Sequence, residues 1–446
     1  MQKLEIKKQF MGVKPCEIEL KRMLLLIGEQ ASGKSTIAKL IFFFQTLPDA
    51  IIESVRIASA RKEQFEFQKH ISYVVRDKFY ETFGSTYHHT TDFDLSYYFG
   101  KNRKLRVYRN NKDKRAYAEF DKLLGQELTS IIDMYFRQPQ VFDRGGDILR
   151  RQQLLENINS CFLRNNSDFN YIIAGRNLSV GFPEIFEGKV RFEIEKIMDD
   201  EVKRQDLQQK RRIGNERLLL SFVEWAEDVR IFFKNNGGSF ESAAQVLEQR
   251  QQILLISKIA EKILKGKYDN DAFGEVIRIN SNEKIFLKDA SSGQQEVLRV
   301  LQGLFLSIGL KNRKDFFVIE EPEAHLYPLA QKELINAFAV FLNSIPQGRL
   351  IITTHSPYIL ACVNILLMAS YVALQSENGQ KKQVSQIVSP NFWLNSDEFT
   401  AYSVGHLENY CKSIKDTSTG LVDQNYLDLI SEQLGIQYQQ LYEILS

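Results

Sequence analysis

Near its start the chain alternates. Leu4-Glu5-Ile6 and Glu17-Ile18-Glu19-Leu20 put apolar and polar side chains on opposite faces, the period of half-buried strands, around a turn containing Gly12 and Pro15. The run Met23-Leu24-Leu25-Leu26-Ile27 has no polar position and predicts a strand buried on both faces. Helical spacing starts at Ser35-Thr36-Ile37-Ala38-Lys39-Leu40-Ile41-Phe42 and returns over residues 60–82. Residues 93–99 and 104–108 predict a hairpin around Gly100-Lys101-Asn102. Residues 115–165 read as mainly helical, and 171–176 as a short strand ending in a turn. Residues 196–265 are charged and helical and break at Asn235-Asn236-Gly237-Gly238, the pattern of a helical hairpin. Strands and helices then alternate again. Residues 315–319 and 351–354 are apolar strands, with a helix over 329–342 between them. Residues 393–446 hold the loop TSTGLVD and amphipathic helices. Apolar strands alternating with helices predict an α/β fold.

At 446 residues the chain has room for two or more domains, or one core with a large insertion. With 43% hydrophobic and 26% charged residues it can bury a sizeable core. A formal net charge of +2 argues against a general nucleic-acid-coating protein, while leaving room for a local basic patch. Cys16, Cys161, Cys362 and Cys411 lie far apart, so neither a disulfide framework nor a cysteine metal pair is expected, as suits a reducing compartment. The opening MQKLEIKKQF lacks the apolar centre of a signal peptide, and no run of about 18 apolar residues is evident. A cytoplasmic protein with no membrane contact is expected.

Four patterns carry chemistry. Between the buried strand and the first helix stands Gly28-Glu29-Gln30-Ala31-Ser32-Gly33-Lys34-Ser35-Thr36, which fits G-x-x-x-x-G-K-[ST]. Its glycines let successive N–H groups turn inward onto phosphate at a helix N-terminus. Lys34 is expected to reach the outer phosphates and the Ser35 hydroxyl to ligate Mg²⁺. The strand 315–319 delivers Glu320 and Glu321 to its carboxyl end, where ligands of doubly wound sheets bind. Glu320 is expected at the metal and Glu321 at the attacking water. The strand 351–354 ends in His355, one helix further on, so the two strands can be neighbours. Ser291-Ser292-Gly293-Gln294 precedes an amphipathic helix, and reads either as an anion site or as a plain helix cap.

In this order the four elements resemble an ATP-binding cassette (ABC) ATPase of the branch containing the SMC and RecF proteins. Gly28 to Ser35 is similar to Walker A, Ser291 to Gln295 to the signature, Ile319 to Glu321 to Walker B, and His355 to the switch histidine. The signature's second glycine is Gln294 here, and the Walker B aspartate is Glu320. Glu320 to Pro328, E-E-P-E-A-H-L-Y-P, with T-T-H-S-P at 353–357, resembles the OLD-related bacterial ATPases, many of them in anti-phage defence. Tyr171 to Arg176 is similar to that group's Y-I-P-A-G-R strand, with Ile173 in place of proline.

The resemblance implies an ABC-type P-loop ATPase head with a mixed sheet, a helical insertion and a small helical C-terminal element. Its divisions would be an N-terminal core part at 1–195, a helical insertion at 196–268, a C-terminal core part at 269–375 and a docking or oligomerisation element at 376–446. It implies ATP and Mg²⁺ at the loop, with Glu321 and His355 catalytic. It also implies a head-to-tail dimer, or a higher oligomer, in which Ser292, Gly293 and Gln294 of one subunit cap the ATP of the other. His325, in the D-loop, would face that interface.

Three roles follow. The leading one is a nucleotide-gated sensor or scaffold of a defence system of Septu or PARIS type, controlling a separate effector, a nuclease. OLD nucleases carry a Toprim domain after the ATPase, and no such domain is visible after His355. The second is a RecF-like DNA-repair ATPase. Its support is the basic stretch from Lys101 to Arg115, a candidate DNA contact as much as a solvated hairpin. The third, a transporter subunit, fits poorly with the long segment between Ser35 and Ser292. A second basic run, Lys203, Arg204, Lys210, Arg211, Arg212 and Arg217, is expected to be a solvated helix face.

Overall fold

The computed structural model describes residues 2–61, 66–84, 92–110, 112, 114–137, 144–164, 168–176, 213–406, 409–422, 436–437 and 439–440. Residues 196–212 at the start of the expected insertion, with its basic run from Lys203 to Arg212, and most of the chain after residue 422 lie outside the described residues.

In chain order the elements begin with β1 (Gln2–Lys8), β2 (Cys16–Leu20), β3 (Met23–Ile27), α1 (Lys34–Ala60) and α2 (Phe67–Phe83). Then come β4 (Asp94–Gly100), β5 (Arg103–Arg109), β6 (Ala116–Phe120), α3 (Lys122–Arg137), α4 (Arg144–Cys161) and β7 (Phe169–Ile172). Next are α5 (Ile213–Asn235), α6 (Arg250–Leu264), β8 (Lys267–Asp271), β9 (Gly274–Arg278), β10 (Lys284–Phe286) and α7 (Ser292–Gly309). The last are β11 (Phe316–Glu320), α8 (Pro328–Ser344), β12 (Arg349–Thr354), α9 (Pro357–Gln375), α10 (Asn378–Ile387), β13 (Phe399–Val404) and β14 (Cys411–Ser413).

The chain divides into two compact units. The first holds residues 1–20, 35–171 and 188–222, and the second 21–34, 172–187 and 223–446. In the first unit an antiparallel sheet runs β2-β1-β4-β5-β6. The alternation read at the N-terminus appears as paired registers, Leu4 opposite Ile18 and opposite Tyr97. Phe10, Phe43, Phe79, Phe83 and Phe93 pack against one another in tilted, edge-to-face and stacked pairs. The predicted hairpin forms as β4 and β5. Residues 116–120, expected to be helical, form β6 along β5, where cross-strand pairing overrides local preference. Three arginines of the basic stretch are held inside this unit: Arg103 by Glu127, Arg106 by Asp94 and Glu119, and Arg109 by Asp92.

The second unit is built on the mixed sheet strands β14-β13-β3-β12-β11. β13, β3, β12 and β11 run parallel. β3 and β11 are buried at every position, as strands covered on both faces must be. Two features differ from the sequence reading. The 376–446 segment, expected to be helical, supplies β13, buried at all six residues and hydrogen-bonded along β3. Such a short apolar run cannot be told from a helix segment until its neighbours are known. The helices on either side of Asn235-Asn236-Gly237-Gly238 form, but α6 does not project. It packs on α7 and α8 and buries Ile253, Ile256, Ile259, Ala260, Ile263 and Leu264. Apolar positions among the charges had an amphipathic face to bury.

By length and composition alone α1 and α9 are each long and apolar enough to cross a membrane, a test that buried core helices also pass. The apolar window is 72% buried in α1 and 39% buried in α9.

Candidate active site

The phosphate loop joins β3 to α1. Positive φ angles at Gly28 (155°), Ala31 (59°) and Gly33 (85°) curl its backbone. A Cβ on Gly28 would lie 2.3 Å from the Val404 carbonyl oxygen, so this position has no room for a side chain. Tyr410 donates to the Ser32 carbonyl at 2.9 Å, so the C-terminal segment holds the loop in place. That residue had no sequence signal.

Lys34 is 4% exposed. Its ammonium donates to the Gly28 and Glu29 carbonyls at 2.9 and 2.6 Å and to Ser32 Oγ at 3.3 Å. Burial lowers its pKa to about 8, against the opposing pull of Glu321, Glu323 and Glu29. Ser35 and Thr36 follow in the first turn of α1. The exposed Glu29 and Gln30 stand at the rim of the loop.

Parallel register brings the other groups to the same sheet edge. β12 lies between β3 and β11, with Thr354 opposite Ile27 and Thr353 opposite Glu320. Glu320 ends β11 buried, and its Oε2 accepts from the Ala174 N–H at 3.3 Å. Glu321 turns off the strand with φ 43° and places Oε1 3.0 Å from His355 Nε2. His355 Nδ1 lies 3.4 Å from the Lys34 ammonium, which can only donate. The consistent tautomer has a bare Nδ1 toward Lys34 and a proton on Nε2 donated to Glu321. Lys34, Glu321 and His355, more than 280 residues apart at the extremes in sequence, thus converge.

Two further residues organise the site. Glu323 Oε1 accepts from the His355 N–H at 2.9 Å and from Thr354 Oγ1 at 2.5 Å, fixing the turn that carries the histidine. Arg176, 1% exposed, donates to the carbonyls of Glu320 and Glu321 at 2.9 and 3.3 Å. The E-E-P-E and A-G-R strings marked both places, but neither role could be read from residue type.

At the start of α7, Ser291 is the N-cap and Gln294 completes a capping box. Gln294 also donates to the Leu264 carbonyl at 2.6 Å, so its side chain serves its own fold. Ser292 is half-exposed. A Cβ on Gly293 would lie 2.5 Å from the His325 carbonyl oxygen, so α7 starts directly against the D-loop turn. His325 is 60% exposed and has φ 60°. The ligands that the sequence suggests for a divalent ion, the Ser35 hydroxyl and the Glu320 carboxylate, are oxygens of the kind that suits magnesium. The described residues contain no cluster of three or more His, Cys, Asp or Glu able to hold a metal by themselves.

Residues 233–360 match the family model of the AAA ATPase domain. The match contains Ser292, Glu320, Glu321 and His355 and begins after the phosphate loop. This segment is therefore similar to an ATPase domain. No curated protein matches it. Among solved structures it is similar to the SMC head bound to the C-winged helix domain of ScpA, at 13% identity and a TM-score of 0.36. It is also similar to the SMC head domain from Thermotoga maritima, at 11% identity and a TM-score of 0.33. Each alignment covers 81% of this chain and 90% of the other.

Proposed function

We propose that the chain binds and hydrolyses ATP, and acts as the nucleotide-gated sensor or scaffold of a bacterial anti-phage defence system controlling a separate effector, a nuclease. The ATPase reading is carried by one observation: Lys34, His355 and Glu321 stand in a chain of 3.4 and 3.0 Å contacts at the mouth of a phosphate loop. Lys34 exchanges its loop carbonyls for phosphate oxygens, a stronger charge-assisted contact. Glu321 accepts a proton from the attacking water and orients it. His355 holds the Glu321 carboxylate in place. Mg²⁺, when bound by Ser35 and Glu320, supplies charge neutralisation on the phosphates. The α7 N-terminus, with Ser292 and Gly293, offers N–H and hydroxyl donors to the ATP of a second copy in a head-to-tail dimer.

The defence role is supported by the E-E-P-E-A-H-L-Y-P and T-T-H-S-P strings and their resemblance to OLD-related ATPases. The DNA-repair reading rested on the basic stretch at Lys101–Arg115. Its Arg103, Arg106 and Arg109 are ion-paired within their own unit, which favours the sensor.

The test uses two variants. Lys34→Ala is expected to lose ATP binding. Glu321→Gln is expected to keep binding while phosphate release falls by about 100-fold or more. Used as bait with ATP, Glu321→Gln is expected to hold the product of the neighbouring gene, and Lys34→Ala to release it. Wild-type phosphate release from Glu321→Gln rules out the catalytic assignment. Capture that ignores nucleotide rules out the gating.

A further inference from the structure

Arg176 is a buried cation with an unusual set of partners. Its guanidinium donates to the carbonyls of Ile173 (3.2 Å), Glu320 (2.9 Å), Glu321 (3.3 Å), Pro322 (3.4 Å) and Glu296 (3.0 Å). Three of these carbonyls form the strand exit that aims Glu321. The fifth belongs to α7, four residues after Ser292. One side chain therefore grips both the backbone that presents the candidate catalytic carboxylate and the helix that starts with the signature.

The carboxylate beside it is left short of contact. Glu296 is 1% exposed, and neither of its oxygens has a hydrogen-bond partner among the described residues. Oε2 stands 3.7 Å from Arg176 Nη2, and Oε1 stands 3.7 Å from His325 Nε2. A buried carboxylate without hydrogen bonds is costly, and a charge-assisted bond would need an approach of only about 0.8 Å. Burial also raises the Glu296 pKa, while Arg176 and His325 oppose that rise. Further along, α7 is held by the Arg299–Glu275 pair and by Trp225, whose ring would be 2.4 Å from a Cβ on Gly303. Gln302 Nε2 further along the helix also lacks a partner among the described residues, but the unmet carboxylate stands near the N-terminal end, where phosphate would bind.

We propose that Arg176 and Glu296 are positioning residues that couple the N-terminus of α7 to Glu321. When the helix start closes on a phosphate, Glu296 closes on Arg176, and the carbonyl grip on Glu320 to Pro322 seats Glu321 for the attacking water. The coupling rests on the ATPase reading above. In a sandwich dimer it runs from the ATP capped by α7 to the ATP served by the same chain's Glu321.

The molecule contains its own reporter. Of its two tryptophans, Trp225 touches both α7, at Gly303, and β11, at Phe317. With Trp393→Phe as background, emission reports on Trp225 alone. Glu296→Gln keeps the side-chain volume and removes the charge. Arg176→Lys keeps a cation but cannot span five carbonyls. Both are made in the full chain, with thermal melting to establish folding. In each, ATP affinity is expected to stay within about twofold while kcat falls by about tenfold or more, the split that marks an interaction made after binding. The ATP·Mg²⁺-induced change in Trp225 emission, clear in the Glu321→Gln background, is expected to disappear when Glu296→Gln is added. Wild-type kcat in folded Glu296→Gln overturns the coupling and leaves the ATPase reading intact. So does a loss confined to ATP affinity, or a Trp225 signal that ATP never changes. A wild-type chain that binds no ATP overturns both.

Discussion

Lys34 illustrates how burial tunes one residue for its ligand. Burial lowers its pKa from 10.5 to about 8, because the buried ammonium is poorly solvated. It is charged at neutral pH. A bound phosphate chain adds negative charge beside it and raises its pKa. Above pH 8, then, binding must take up a proton, and affinity falls with rising pH, approaching about tenfold per unit. Below pH 7 this group contributes no slope. Titrating ATP from pH 6.5 to 9.5 should show this break, and Lys34→Arg, charged throughout, should flatten it. A wild-type affinity that is level from pH 8 to 9.5 would contradict the role of Lys34.

At the scale of elements, the phosphate loop depends on a strand from the far end of the chain. The Val404 carbonyl approaches Gly28 too closely for any side chain, and Tyr410 donates to Ser32. Tyr410→Phe removes one hydrogen bond, worth about 0.5–1.5 kcal/mol, and leaves the ring in place. ATP affinity is expected to weaken by about two- to tenfold with kcat unchanged, because no reacting atom touches this residue. Fluorescent-nucleotide titration beside steady-state kinetics checks it. An effect on kcat alone would place Tyr410 in the chemistry instead.

At the scale of the molecule, β13 separates two outcomes of shortening the chain. A dispensable docking tail could be removed without harm. An interior strand cannot, because its loss bares the hydrogen-bonding edge of β3 and the apolar faces packed on Phe399, Ala401 and Val404. Truncation before Trp393 is therefore expected to give aggregated chain and lost helical signal, measured by size-exclusion chromatography and circular dichroism. A soluble, nucleotide-binding truncation would contradict the placement of β13.

The sequence by itself determined what depends on neighbours a few residues away. The loop of Gly28 to Ser35 follows from where glycine permits positive φ, and the strands β3, β11 and β12 from their apolar runs, Met23 to Ile27, Phe316 to Ile319 and Leu350 to Ile352. Ser291 and Gln294 form a capping box readable from their spacing, which is why Gln294 can stand where a signature glycine was expected. Tertiary structure decided what depends on distant partners. β13 is a strand because β3 offers it hydrogen bonds, and α6 lies in the core because α7 and α8 face its apolar side. Glu323 holds the His355 turn, and Arg176 grips Glu320 to Pro322, through contacts spanning 32 and about 145 residues. A carboxylate or guanidinium has the same local pattern whether it faces solvent or a buried row of carbonyls, and only the packed chain distinguishes the two.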